Sequence, residues 1–567
     1  MRILHPTLTL LTGLMLSNPG CRCGEAQISP NTSAKAPAAA SDDSRTNADG
    51  WDRKVLDALL AGLPKSKMDS LIDAVPHELP WRAQSRDPAV WLRYMRSREG
   101  YQAFAGTPLA EELRSQGPWL TLESMRKQVL GLTSFVGASQ DDDGLWRGEV
   151  ALGSRSIEDE RPAFVVVKRV LPEIQVVARF VAAFASVGLD APQQADARLS
   201  ANEREQPKLK TEKIGSATLH TLHRAGTHLH FALFRDVLIF GSDEALVRNA
   251  TRIAAGEIKP KNDTRAALWP DSDEPGIHIA WSTPRGGPLD LFAIDALGLT
   301  LGVDEKQPFA LRLLGGRTPS PDATQLLRYA PGTTFGAWVD GRKPAEDFLQ
   351  EVRRRVLPKT GPRTASPSRL DELETTIGSK LQGGIAFWLG NDANLKNNPS
   401  PRGVVAFRHA DKKALEPAVR AFLAELTARK VERNVLEPVG GAFLLTTGDD
   451  SPAAALSDDA LLVALSPTPL RDALHAGAGK TRSILDAAKT GPSSQASHAL
   501  YVNMEQAAVF LRNFYRAAFE GGVAPGWEEA GPLLEPTFAA VSKFGTYFGE
   551  LSSVGDSAFA GGLHALP

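Results

Sequence analysis

Two kinds of apolar pattern alternate along this chain. Short apolar runs such as Ala163-Phe-Val-Val-Val167 and Gly403-Val-Val-Ala-Phe407 read as buried strands. Each is followed by a stretch with helical spacing. Over 172–187, Ile174, Val177, Phe180, Val181 and Phe184 share one face; over 412–428, Leu415, Val419, Phe422, Leu423 and Leu426 do. Each half then reaches a strand, a Ser-containing turn and a helix start. Asp236-Val-Leu-Ile-Phe-Gly-Ser-Asp-Glu-Ala-Leu-Val-Arg-Asn-Ala250 aligns without a gap on Asp459-Ala-Leu-Leu-Val-Ala-Leu-Ser-Pro-Thr-Pro-Leu-Arg-Asp-Ala473. Ser242 and Asp243 suit a helix N-cap in the first, and Ser466 before Pro467 suits one in the second.

The context repeats in the same order. Val75-Pro76 leads to Asp87-Pro88-Ala89 and a helix, as Ala330-Pro331 leads to Lys343-Pro344-Ala345 and another. Downstream, a strand at 277–281, a helix and strands near 299–303 and 309–314 match a strand at 499–502, a helix over 504–519 and strands near 547–552 and 558–563. The pattern predicts an α+β fold of two similar modules, 51–318 and 322–567, each an antiparallel sheet with helices packed on one face. Polar stretches at 193–213, 259–275 and 359–369 read as loops.

The first residues read differently. Arg2 precedes a mostly apolar stretch, 3–16, too short to cross a bilayer, and Gly20-Cys21 follows. Residues 1–20 are expected to be an export signal. Residues 21–50 are rich in Ala, Ser, Asp, Asn and Thr, the composition of a disordered tether. Lys plus Arg is 64 against 66 for Asp plus Glu, so no basic excess points to nucleic acid. The 2 cysteines are Cys21 and Cys23, which rules out a disulfide framework or thiolate metal site in the body.

The small residue before Cys21 resembles a bacterial lipoprotein cleavage site, which implies acylation of Cys21 and a membrane anchor. With the Ala330-Pro-Gly-Thr-Thr334 strand opening and the repeated strand-turn-helix, the chain resembles a family of exported, N-terminally anchored bacterial proteins catalogued only as a domain of unknown function. The resemblance covers most of the body and brings no established activity with it.

Candidate chemistry is sparse. His220, His223, His228 and His230 cluster in Leu-His-Thr-Leu-His-Arg-Ala-Gly-Thr-His-Leu-His. His228 and His230 alternate on a strand and share a face, and His220 is expected to meet them across a hairpin turning near Ala225-Gly226. Such imidazoles could hold zinc or copper; the plain alternative is a hairpin with solvent-facing histidines. Gly477-Ala-Gly-Lys480-Thr481 lacks the first glycine of a P-loop and follows a helix, so it reads as a helix stop. Asp141-Asp-Asp143-Gly144 opens like a calcium loop, but Leu152 stands where the twelfth-position glutamate belongs. Neither Gly-x-Ser-x-Gly nor His-Glu-x-x-His occurs.

The resulting expectation is a non-enzymatic binding or scaffold protein of the bacterial envelope with no cofactor. It would be anchored in the periplasm or at the outer membrane and would meet an envelope protein or ligand. The alternatives are a carrier of an apolar ligand and a metal-dependent enzyme using the histidine cluster.

Overall fold

In a computed structural model of the chain, the described residues are 65–115, 147–155, 163–170, 208–224, 227–259, 268–269, 275–282, 294–315, 323–341, 367–391, 402–435, 441–488, 496–520, 527–555 and 558–566. The strands are β1 (Trp81–Ser85), β2 (Val150–Ser154), β3 (Phe164–Arg169), β4 (Lys208–Ile214), β5 (Ala217–Arg224), β6 (Thr227–Phe234), β7 (Val237–Gly241), β8 (Gly276–Ser282), β9 (Ala296–Gly302) and β10 (Phe309–Leu314). They continue as β11 (Thr334–Asp340), β12 (Leu381–Gly390), β13 (Arg402–His409), β14 (Glu432–Val435), β15 (Phe443–Thr446), β16 (Ala453–Leu456), β17 (Ala460–Ala464), β18 (His498–Asn503), β19 (Thr546–Gly555) and β20 (Ala558–Leu566). The helices are α1 (Pro88–Ser97), α2 (Glu99–Ala105), α3 (Pro108–Ser115), α4 (Glu244–Ala254), α5 (Pro367–Lys380), α6 (Lys412–Thr427), α7 (Thr468–Gly477), α8 (Ile484–Ala488), α9 (Met504–Glu520) and α10 (Trp527–Ser542).

The chain forms two compact units. One gathers Met1–Pro76, Arg114–Val150 and Glu158–Pro260; the other gathers His77–Leu113, Ala151–Ile157 and Lys261–Pro567. In the first, β4, β5, β6 and β7 form an antiparallel meander, and β3 pairs on the far side of β7. Alternate residues of β3 and β7 are buried, including Val165, Val167, Val237 and Ile239. The amphipathic helix α4 covers the meander with Leu246, Val247 and Ala250. Its cap is Asp243, whose carboxylate accepts a hydrogen bond from the Leu246 amide at 3.0 Å.

In the second unit the pairing runs β1-β8-β9-β10-β20-β19-β18-β11-β12-β13-β17-β16-β15-β14, antiparallel throughout. Within it, β14-β15-β16-β17-β13 and α7 repeat the order of β4-β5-β6-β7-β3 and α4. The central strands are apolar runs rather than alternating ones, and β15 and β16 are buried along their whole length. A strand of that kind needs cover on both sides. On one face, α5 and α6 pack over Ile385, Phe407, Phe443, Leu445 and Leu461. On the other, the 3₁₀ segment Ala323–Tyr329, α7 and α8 pack over Trp388, Ala406, Leu444 and Leu462.

The expected fold class is corrected on two counts. The helices of this region lie on both faces of the sheet, not one. The strands do not form two separate sheets: β10, at the end of the first expected module, pairs with β20 along its full length, Phe309 opposite Leu563 and Leu314 opposite Ala558. Among the described residues, the fourteen strands of the second unit from β1 to β14 in that pairing order form one continuous antiparallel sheet, which crosses the expected boundary at 318–322. A main-chain ladder between strands so far apart in sequence leaves no periodicity to read, since each strand shows only its own pattern. Among the described residues no helix is long and apolar enough to cross a membrane. The expected signal, Cys21, the tether, the 172–187 helix and Asp141–Gly144 lie outside the described residues.

Candidate functional site

The aspartate that recurs in the two aligned segments occupies the same place in both. Asp236 lies in the tight turn between β6 and β7, and its carbonyl accepts the Val170 amide at 2.7 Å; Asp459 lies between β16 and β17, and its carbonyl accepts the His409 amide at 3.1 Å. Their side chains differ in what they hold. Asp236 is 5% exposed and accepts the Ser66 amide at 2.6 Å and Arg169 Nη1 at 3.1 Å. Arg169 also donates to Glu149 Oε2 at 3.2 Å and to the Met68 carbonyl at 3.1 Å. Glu149, 7% exposed, takes the Leu71 amide at 2.7 Å. Two buried carboxylates thus share one guanidinium and together pin residues 66–71 to the strands.

In the second unit, Asp459 Oδ1 accepts from Arg328 Nη2 at 2.7 Å and from the Tyr329 hydroxyl at 2.6 Å, with Ser457 Oγ 3.2 Å away. Burial pushes the Tyr329 hydroxyl above the usual tyrosine pKa, against the lowering effect of Arg328 and Ser457. The Tyr329 ring lies on α7 at Gly477, where an added Cβ would clash with the ring carbons. Gly477 therefore serves packing. The following Gly479 (φ 70°) closes the helix, with Lys480 N donating to His475 O and Gly479 N to Ala476 O, each at 2.9 Å. The N-cap of α7 is Pro467 without a side-chain bond, rather than Ser466.

A third set lies where β11 meets β18. Ser497 Oγ is 2.8 Å from His498 Nδ1, and Asp340 Oδ1 is 3.3 Å from His498 Nε2. Serine, histidine and aspartate in contact invite comparison with a nucleophilic triad. All three are sealed, at 2%, 0% and 2% exposure, between Trp338 and Phe559. Ser497 Oγ also lies 3.2 Å from the Leu551 carbonyl, so the set ties β18 to both neighbours.

The histidines of the β5–β6 hairpin divide between its faces. Directly opposed residues share a face, and faces alternate along a strand. His223 stands opposite His228, Thr221 opposite His230, and His220 opposite Phe231. The register therefore places His223, His228 and His230 on one face and His220 on the other. His220 does not meet the others; its ring stacks on Phe231 at 4.9 Å, and burial lowers its pKa. His230 is buried, with Nδ1 3.0 Å from Thr221 Oγ1. Among the described side chains no group of three or more metal-type residues is gathered.

Two surface pockets have mixed polar and apolar linings. One of about 470 Å³ is bounded by Glu244, Arg248, Asn249 and Arg252 on α4. Another of about 240 Å³ is bounded by Gln307, Arg312, Gly561 and Gly562 at the β10–β20 seam. No known protein family, curated protein or solved structure matches the chain.

Proposed function

We propose that the chain is an exported, lipid-anchored protein of the bacterial envelope that acts by binding or scaffolding rather than by catalysis. The anchor rests on the cationic, apolar leader and Gly20-Cys21. The non-enzymatic role rests on one observation. The three charged or polar constellations around Asp236, Asp459 and His498 are each engaged in fastening one chain segment to another. Carboxylates engaged in this way hold one segment against another and have their oxygens occupied by protein donors.

The test is expression of the full chain in a Gram-negative host fed an alkyne-bearing fatty acid. The expected result is label on the membrane-bound protein, abolished by Cys21→Ala, with photo-crosslinkers on the sheet surface capturing a defined envelope partner. Recovery of unlabelled protein with intact Met1 from the cytosol would overturn the anchor. Turnover of a substrate lost on changing Ser497, His498 or Asp340 in a folded variant would overturn the non-catalytic role.

A further inference from the structure

The long sheet of the second unit has one open edge among the described residues. At one end β1 pairs with β2. At the other, β14 pairs with β15 alone, Glu432 opposite Thr446 and Val435 opposite Phe443. Successive residues of an antiparallel strand alternate between bonding their neighbour and turning N–H and C=O away from it. Half of the 4 residues of β14 therefore offer main-chain groups on the outward side. Among the described residues no hydrogen bond reaches them there. All 4 residues are exposed.

Open edges recruit other strands, and proteins guard them with charge, above all lysine. The two copies differ here. β4 holds the matching place in the first unit's meander and carries Lys208, Lys210 and Lys213. β14 has neither lysine nor proline. Its one cation is withdrawn: Arg433 Nε lies 3.2 Å from Glu416 Oε1 on α6, and the guanidinium carbon lies 4.1 Å from the Phe443 ring centroid. Glu432 is the one charge left on the strand, and Val435 stands 57% exposed at its end.

A second copy does not fit this edge. Opposed residues share a face, so a two-fold axis normal to the sheet sets one residue of β14 opposite itself. Centred on Glu432 or Arg433, the pairing brings like charges together. Centred on Asn434, it sets Arg433 against Val435 and matches no charges; centred on Val435, it matches only that residue within the strand. A segment of a different protein is free of this symmetry. Lys430, exposed two residues before Glu432, has no acidic partner among the described residues. It favours a carboxylate on an arriving strand, as Val435 favours an apolar side chain.

We propose that the outward edge of β14 takes an extended segment of a partner protein as an added antiparallel strand, with an apolar side chain against Val435 and a carboxylate against Lys430. This rests on the binding role proposed above and names where that binding occurs.

The probe is a synthetic peptide alternating valine and threonine, with a glutamate five residues after the valine meant for Val435. Added to the full chain, it should slow amide exchange at the outward residues of β14 by at least about tenfold and leave β4 unchanged. Asn434→Pro and Val435→Pro test the geometry. Neighbouring residues face opposite sides, so one substitution removes an outward amide and the other an amide bonded to β15. The outward proline should melt as the parent does and lose the peptide. Lys430→Glu should weaken binding about three- to fivefold, and a peptide with lysine in place of glutamate should restore it. Exchange at β14 that the peptide leaves unchanged overturns the proposal, as does binding retained by the outward proline variant. Protection that grows with protein concentration in the absence of peptide overturns it in favour of a second copy. Cross-linking of a partner elsewhere on the sheet would then leave the binding role standing without this edge.

Discussion

The β3–α4 and β13–α7 regions share a strand order but not a way of holding themselves together. The first buries two carboxylates, Asp236 and Glu149, around Arg169. The second leaves Asp459 a third exposed and gives it three donors, so that no one of them is indispensable. The same swap of means appears in packing. The 3₁₀ turns Leu71–Ala74 and Ala323–Tyr329 align at the prolines that follow them, so Ala74 corresponds to Tyr329; α4 and α7 align at the aspartates that precede them, so Ala254 corresponds to Gly477. Two alanines in one copy stand where the other has a tyrosine ring against a glycine. The lesson is that topology constrains where a fastening must sit and leaves its chemistry open.

The comparison yields predictions of decreasing size. Arg169→Ala strands two buried carboxylates and should cost about 3–5 kcal/mol in chemical denaturation. Arg328→Ala, at a 42% exposed side chain, should cost only about 0–1 kcal/mol. Equal losses would show that the two fastenings are alike after all. Next, Gly477→Ala introduces the residue of the other copy against the Tyr329 ring and should cost about 1–3 kcal/mol. The cost should largely vanish in a Tyr329→Ala background, which a double-mutant cycle measures.

A smaller and pH-dependent effect belongs to His409, which aligns with Val170. Burial lowers its pKa, partly offset by the backbone at Ser457 and Ala460. The neutral ring is thus favoured in the folded state. Its contribution is present above the unfolded pKa of about 6.5 and is lost as pH falls through the folded value. His409→Val should flatten the loss of stability below about pH 6.5, read from melting temperatures across pH. An unchanged profile would remove His409 from the acid response.

Much of the element order was legible because amphipathic spacing and the gapless match of 236–250 to 459–473 are local signals. β7, α4, β17 and α7 stand where those segments lie. The β10–β20 ladder was hidden, because main-chain pairing is indifferent to which apolar strand arrives. Double-sided burial of β15 and β16 was half visible: Phe-Leu-Leu and Ala-Ala-Ala-Leu are unbroken apolar runs, yet such runs do not tell how many layers cover them. The recurring aspartate was seen as a match and not as a fastening, since Arg169 and Arg328 stand at unrelated distances along the chain. Proximity along the hairpin suggests that His220 meets the other histidines, whereas the parity of its register puts it on the opposite face.

The β10–β20 seam also dictates a timetable. Until residues 558–566 have emerged and come home, one side of β10 stays an open row of amides and carbonyls, the kind of edge that recruits a stranger. Loss of its closing segment should therefore yield clumping material and not a tidy half-molecule.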